Sequence, residues 1–234
     1  MVLLQGGIGA TNDLVDAPRD SGHKPNKPIP AGLVSPRAAM LVAVTGFAAG
    51  VALAGASAGP TGVVLSLVVI AIGLAYDLWL KGTAWSWLPF AVGIPILPVF
   101  GWLGATGTLP PAFLVLLPAA VAAGAALAIA NTLADVERDR AAGSRSIAIA
   151  LGPTTAWLIH IGLLDAVGVA ATVSVVVLGG SMAAAGAVAL AAIIPIGAAV
   201  VGRRGGANRR ERAWELEAVG IAILGIAWLL AVLS

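Results

Sequence analysis

Residues 111–140 read PAFLVLLPAAVAAGAALAIANTLADVERDR, and the fold turns on this stretch. Positions 111–134 carry no charge at all. At about 1.5 Å of rise per residue, a helix of that length crosses the ~30 Å of a bilayer's hydrocarbon. Charge then arrives at once, in Asp135-Val-Glu-Arg-Asp139-Arg140. This is the pattern of a membrane span whose last turn emerges into water.

The rest of the chain repeats it. Of 234 residues, 59% are hydrophobic and only 10% charged, and the mean hydropathy is +1.00. A soluble domain carries roughly 25% charged residues, so a soluble protein is excluded. Apolar runs at 37–56, 60–79, 87–106, 111–134, 154–178, 181–202 and 214–233 predict seven full spans. They must be helices, because unpaired backbone groups are too costly in lipid and no run alternates like a barrel strand. The expected fold is therefore all-α: a polytopic transmembrane helical bundle of seven full spans plus a partial N-terminal helix, forming one integral-membrane domain over 1–234. The Ala- and Gly-rich stretches 119–130 and 181–199 suit close helix–helix approach. With no cysteine, the chain has no disulfide framework, thiol nucleophile or thiolate metal site. His23 and His160 are too few for a histidine-built metal site.

The basic residues fix an orientation. Arg19, Lys24, Lys27 and Arg37 precede or open the first full span, and Lys81 lies between the second and third. Arg138, Arg140 and Arg145 follow the fourth, and Arg203, Arg204, Arg209, Arg210 and Arg212 precede the seventh. All 13 fall on one side, which the positive-inside rule makes cytoplasmic. The predicted localisation is the cell membrane, with the active site at the cytoplasmic face. For Arg203 to Arg212, topology and contact with lipid headgroups are sufficient roles.

Residues 1–11 are apolar but reach only ~16 Å as a helix, half a span. They lack the basic region and cleavage site of a signal peptide. The segment is a short re-entrant piece or, as we favour, the end of a longer helix, since its polar end emerges on the basic side.

Acidic residues number 11, and five of them form two periodic sets. Asn12-Asp13-x-x-Asp16-x-x-x-Asp20 steps by three and four, so its aspartates share one helical face wherever the helix passes Pro18. Asn131-x-x-x-Asp135-x-x-x-Asp139 steps by four and four, with Glu137 pointing elsewhere. Like charges at these spacings repel. The sets need a cation between them or partial protonation. Carboxylates with amide carbonyls are hard ligands that suit Mg²⁺, which often bridges carboxylates to phosphates. Lys24 and Lys27 follow the first set in a segment stiffened by Pro25, Pro28 and Pro30. Arg138, Arg140 and Arg145 flank the second, while Tyr76 and Lys81 end the second span. Metal-holding carboxylates interleaved with cations are what a departing diphosphate requires.

These residues resemble the signatures of the UbiA superfamily of intramembrane prenyltransferases. The first, N-D-x-x-D-x-x-x-D followed by a Lys/Arg-Pro turn, matches Asn12-Asp13-Leu-Val-Asp16-Ala-Pro-Arg-Asp20 and Lys27-Pro28-Ile29-Pro30. The second, D-x-x-x-D, matches Asp135-Val-Glu-Arg-Asp139. A Tyr-x-x-x-x-Lys element between them is similar to Tyr76-Asp-Leu-Trp-Leu-Lys81. The resemblance implies nine membrane helices around a cavity open sideways to lipid. The partial helix then corresponds to the end of the family's second helix, the first being absent from this sequence. It also implies transfer of a prenyl group from a polyprenyl diphosphate to an aromatic or lipid-alcohol acceptor. Asp13, Asp16, Asp135 and Asp139 would hold Mg²⁺ on the diphosphate, with Asp20 at the rim and Asn12 and Asn131 as neutral partners. Lys24, Lys27, Lys81, Arg138 and Arg145 are candidates to contact the diphosphate. Tyr76 would stabilise the allylic cation through its ring or hold the diphosphate through its hydroxyl, unless it serves as an interfacial anchor. Trp79, Trp85 and Trp87 read as such anchors. The turn Asn26-Lys-Pro-Ile-Pro-Ala-Gly32 looks more like branches that prenylate lipid alcohols or esterify chlorophyllide-type acids. Membrane lipid is the surrounding partner, and no nucleic-acid partner is expected.

The alternatives are a membrane cation transporter and an inactive truncated homologue. Transporter sites usually lie near the midplane on broken helices, whereas these acids sit at span ends among cations. His160 and Asp165 lie inside the fifth span and point about 140° apart. A neutral His160 hydrogen-bonded between helices is the expectation; Asp165 would bind acceptor or pair with another helix.

Overall fold

In the computed structural model of the chain, residues 1–23 and 25–233 are described, the side chains of Arg19 and His23 excepted; Lys24, a candidate diphosphate contact, lies outside the described residues. The chain forms two compact units, one of residues 1–81 and 96–109, the other of 82–95 and 110–234.

In the first unit, helix α1 runs Val2–His23. Helix α2, Pro36–Ala75, begins as its sequence dictates, with Pro36 in the first turn and the Ser35 hydroxyl accepting from Ala38 N at 3.2 Å. It is interrupted at Ala58 and Gly59, where Gly59 takes φ +58° and ψ −148° just ahead of Pro60. Only glycine adopts that conformation at low cost. The chain folds back there: a Cβ on Gly62 would lie 2.2 Å from the carbonyl oxygen of Ala54, whereas eight residues of straight helix would separate the two by ~12 Å. A π-helical turn, Tyr76–Leu80, continues the second arm and closes with Lys81 N donating to Tyr76 O at 2.9 Å.

Among the described residues, six helices are long and apolar enough to cross a membrane, and the first of them, Pro36–Leu80, contains this break. Taken as its two arms, 36–57 and 60–80, it supplies two of the seven expected spans. The chain is an integral membrane protein, and large side chains such as Leu114, Met182, Leu190 and Leu230 face outward as lipid contact demands.

Helix α1 is longer than its apolar stretch. It continues through the polar residues and past Pro18 for 22 residues. What holds it is close packing in the α2 hairpin. Leu4 is fully buried and lies where a side chain on Gly50 would be. The Leu3 carbonyl would be 2.9 Å from a Cβ on Gly46, and Ile8 fills the space beside Gly73. Glycine at those positions lets the helices approach at backbone distance.

Helix α3, Leu88–Thr106, is shared between the units. In the second unit, α4 (Phe113–Ala134), α7 (Pro153–Val177), α8 (Met182–Gly202) and α9 (Ala207–Leu233) pack around one another. Short helices α5 (Val136–Ala141) and α6 (Ile147–Leu151) lie in the connection between α4 and α7. Val167, Ala171 and Val175 of α7 meet Val188 and Ala192 of α8 and Leu224 and Trp228 of α9. The Trp228 indole donates to Ser174 Oγ at 2.7 Å, which satisfies the one polar atom that ring buries. Helix α9 starts seven residues before the predicted span. Four of those residues, Arg209, Arg210, Glu211 and Arg212, are charged, so the stretch extends the helix without adding to its apolar run.

Candidate active site

The first acidic set behaves as its spacing predicts. Because α1 passes Pro18 intact, Asp13, Asp16 and Asp20 share one face, and they converge on a single ammonium. Lys27 Nζ lies 3.1 Å from Asp13 Oδ1, 2.8 Å from Asp20 Oδ2 and 3.9 Å from Asp16 Oδ2. Asp16 and Asp20 are buried. Asp16 Oδ2 also pairs with Lys81 Nζ. The repulsion among three carboxylates is thus offset by two cations, brought in by the proline-rich turn and by the end of the α2 hairpin. Burial alone lowers the pKa of Lys27, but the hydrogen bonds and charges of Asp20 and Asp13 outweigh it and hold the ammonium above the usual lysine value.

The π-turn supplies the opposing side. Its extra residue per turn brings Lys81 back toward the Tyr76 ring, with Nζ 5.8 Å from the centroid. It also buries Asp77, a residue the sequence reading passed over. Asp77 Oδ1 accepts from Asn12 Nδ2 at 2.7 Å. A carboxylate accepts only, so this contact fixes which way the Asn12 amide is turned. Asp77 Oδ2 is buried and has no hydrogen-bond partner among the described residues. Asn12–Asp77 and Asp16–Lys81 are consecutive rungs, each joining residues 65 apart, and Ile8 against Gly73 forms the rung below. Helix α1 and the second arm of α2 therefore lie parallel in fixed register.

The second set, in the other unit, departs from its prediction. The helix does not run straight through Asn131, Asp135 and Asp139. It breaks at Asp135, where φ is −100° and ψ 6°, so that Asp135 ends α4 and opens α5. The hydrogen bonds from Asp135 N to Asn131 O (3.3 Å) and from Asp139 N to Asp135 O (2.8 Å) still bridge the break. Asp135 pairs with Arg138, three residues on, and Arg138 lies 4.0 Å from Glu211 of α9. Glu137 points away, as expected, and pairs with Arg210. Arg145 donates its backbone N–H to Gly82 O at 2.8 Å, where the Ser144 hydroxyl also donates at 3.1 Å. The Arg145 side chain is exposed.

Among the described residues, no three carboxylate or imidazole groups close into a metal cage on their own. The donor chemistry nevertheless suits a hard divalent cation: Asp13, Asp16 and Asp20 already present oxygens to one positive centre, and all are hard ligands.

His160 is buried between helices, as anticipated. Its Nδ1 donates to the carbonyl of Ala126 on α4 at 3.0 Å, and Nε2 lies 3.2 Å from Glu217 Oε2 on α9. Glu217, 57 residues away in sequence, carried no signal of this pairing. Asp165 lies on an exposed face of α7. Trp79 and Trp85 are exposed, consistent with interfacial anchors.

A membrane bundle in which an amide-led acidic helix is answered by a tyrosine–lysine turn carries the candidate site of this chain. The chain belongs to the UbiA prenyltransferase family, which it matches over residues 1–223. It is 31% identical over 165 residues to a digeranylgeranylglyceryl phosphate synthase of Methanothrix thermoacetophila, a match covering 68% of this chain and 59% of that one. It is 31% identical over 173 residues to the chloroplastic chlorophyll synthase of Arabidopsis thaliana, covering 69% and 44%. The match therefore spans about half the length of these relatives. Its fold is that of the ligand-free UbiA homologue from Aeropyrum pernix K1, with a TM-score of 0.77 at 21% identity, covering 98% of this chain and 86% of that one.

Proposed function

We propose that this chain transfers a prenyl group from a polyprenyl diphosphate to a lipid-alcohol acceptor at the cytoplasmic face of the membrane. The observation that carries the reading is the convergence of Asp13, Asp16 and Asp20 on Lys27, with Lys81 on Asp16 and beside the Tyr76 ring. Carboxylates poised for a hard cation, flanked by ammonium groups and one aromatic face, match the needs of an ionising allylic diphosphate. The C1–O bond of the donor breaks, and its electron pair leaves with the diphosphate. The acceptor oxygen bonds to C1 and gives up its proton to the departing diphosphate.

In this reading Asp13, Asp16, Asp135 and Asp139 hold Mg²⁺, with Asp20 at the rim. Mg²⁺ when bound neutralises charge that builds on the leaving group. Asn12 and Asn131 contribute amide groups. Lys27, Lys81, Arg138 and Arg145 contact the diphosphate, and Lys24 is assigned the same role from its place in the sequence. The Tyr76 ring faces the allylic cation. The lipid-alcohol class draws on the Asn26–Gly32 turn and on the glyceryl phosphate in the first relative's name.

The test is transfer by membranes carrying this chain, supplied with radiolabelled prenyl diphosphates of several lengths, with Mg²⁺ or EDTA. The acceptor panel holds glyceryl phosphate lipids, chlorophyllide-type acids and phenols. Mg²⁺-dependent labelling of the glyceryl lipid is the expected result. Mg²⁺-independent labelling would overturn the metal assignment, and labelling of a phenol alone would overturn the acceptor class.

A further inference from the structure

The buried carboxylate of Asp77 is the least economical polar group in the first unit. It is 5% exposed, yet it has one hydrogen bond, from Asn12, and its second oxygen has no partner among the described residues. Burying a carboxylate with so few partners costs stability. A leucine would fill the same space without that cost.

What Asp77 gains is the orientation of Asn12. An asparagine amide turns about its terminal bond with little preference and offers an oxygen at one end and N–H groups at the other. With its nitrogen held 2.7 Å from Asp77 Oδ1, the amide must direct its carbonyl oxygen away from Asp77. That oxygen is carried on the same α1 face as Asp16, one turn earlier. It is a hard donor, the type a divalent cation accepts beside carboxylates. An amide turned the other way would present N–H groups and repel the cation.

We propose that Asp77 is a positioning residue. Through its contact with Asn12 Nδ2 it turns the Asn12 carbonyl oxygen toward the bound metal–diphosphate, and so sets metal affinity without touching metal or substrate. The proposal rests on the prenyl-diphosphate reading above. Partners that orient metal ligands in this way typically govern affinity by 10–100-fold.

The test is Mn²⁺ binding, followed by electron paramagnetic resonance, to the full chain in detergent with a non-reacting prenyl thiodiphosphate. Asp77→Ala should weaken Mn²⁺ binding by about 10-fold or more. Asp77→Asn retains an oxygen that accepts from Asn12, and should stay within about threefold of the parent. In an Asn12→Ala background, Asp77→Ala should have little further effect, because the amide it orients is gone. Should Asp77→Ala fail to insert, Asp77→Ser makes the same comparison, its hydroxyl being too short to reach the amide. Equal losses for Asp77→Ala and Asp77→Asn would overturn the proposal in favour of a plain charge effect. Additive losses with Asn12→Ala would overturn it as well, as would unchanged binding in Asp77→Ala. If the parent binds no Mn²⁺ with the thiodiphosphate, it is the prenyl-diphosphate reading itself that fails. If the parent binds, Asp16→Asn does not and Asp77→Ala is unaffected, only the positioning role falls.

Discussion

The two acidic sets are alike as strings of letters and unlike as structures. Asp13, Asp16 and Asp20 stand on an unbroken helix, two of them buried, and their cations come from 7 to 65 residues away in sequence. Asp135 stands at a helix break and pairs with a neighbour three residues on, both side chains about a third exposed. The first set is thus held by tertiary structure, whereas Asp135 is held mainly by local contact. A buried pair broken on one side leaves a charge without compensation, whereas an exposed pair can exchange its partner for water. The contrast predicts that the same substitution costs function in both sets, and folding in only one.

Replacing Asp16 should have the largest effect. Asp16→Asn leaves Lys81 without its carboxylate partner, and should lower both transfer, by about 100-fold or more, and the thermal midpoint of the detergent-purified protein. A variant that loses transfer while melting like the parent would erase the contrast. Asp135→Asn should remove transfer to a similar extent while moving stability by no more than about 1 kcal/mol. A large fall in its melting temperature would show that the second set is equally embedded.

Lys27→Met should act next most strongly, by leaving three carboxylates facing one another. Its melting temperature should fall and recover on addition of millimolar Mg²⁺. The pH dependence of the parent lies on the alkaline side. Because folding raises the pKa of Lys27, the stabilisation is present in full below the ordinary lysine value of 10.5 and is lost as pH rises through the folded value. The gap between parent and variant should therefore be constant at neutral pH and narrow above about pH 10.5. A gap that widens in alkali would contradict the ion pairing. Glu137→Gln should do least: its side chain is 61% exposed, and a change within about 0.5 kcal/mol with transfer unaltered is expected.

The spans were legible because a run of about 20 apolar residues admits few other structures. The break between the arms of α2 was marked by Gly59 and Pro60. The acidic face of α1 followed from spacing alone, and the only open condition, continuation past Pro18, was met. Other features were hidden for physical reasons. Nothing in Tyr76-Asp-Leu-Trp-Leu-Lys81 distinguishes a π-turn from an α-turn, since the difference lies in backbone hydrogen bonding. Asp77 carried no signal of its own, because its role depends on which residue of α1 lies opposite. The break at Asp135 has no glycine or proline to announce it. Glu217 opposite His160 is likewise a matter of which helices adjoin.

The constant offset of 65 along α1 and the second arm of α2 has a consequence for how this chain tolerates changes in length. Residues added or removed between 28 and 72, after Lys27 or at the bend near Gly59, leave every rung with its partner so long as both helices still dock. A single residue inserted between 9 and 15, or between 74 and 80, turns the following rungs by roughly 100° and parts Asp16 from Lys81. The site is thus indifferent to the length of the chain between Lys27 and the second arm of α2, and intolerant of one residue within two short stretches of helix.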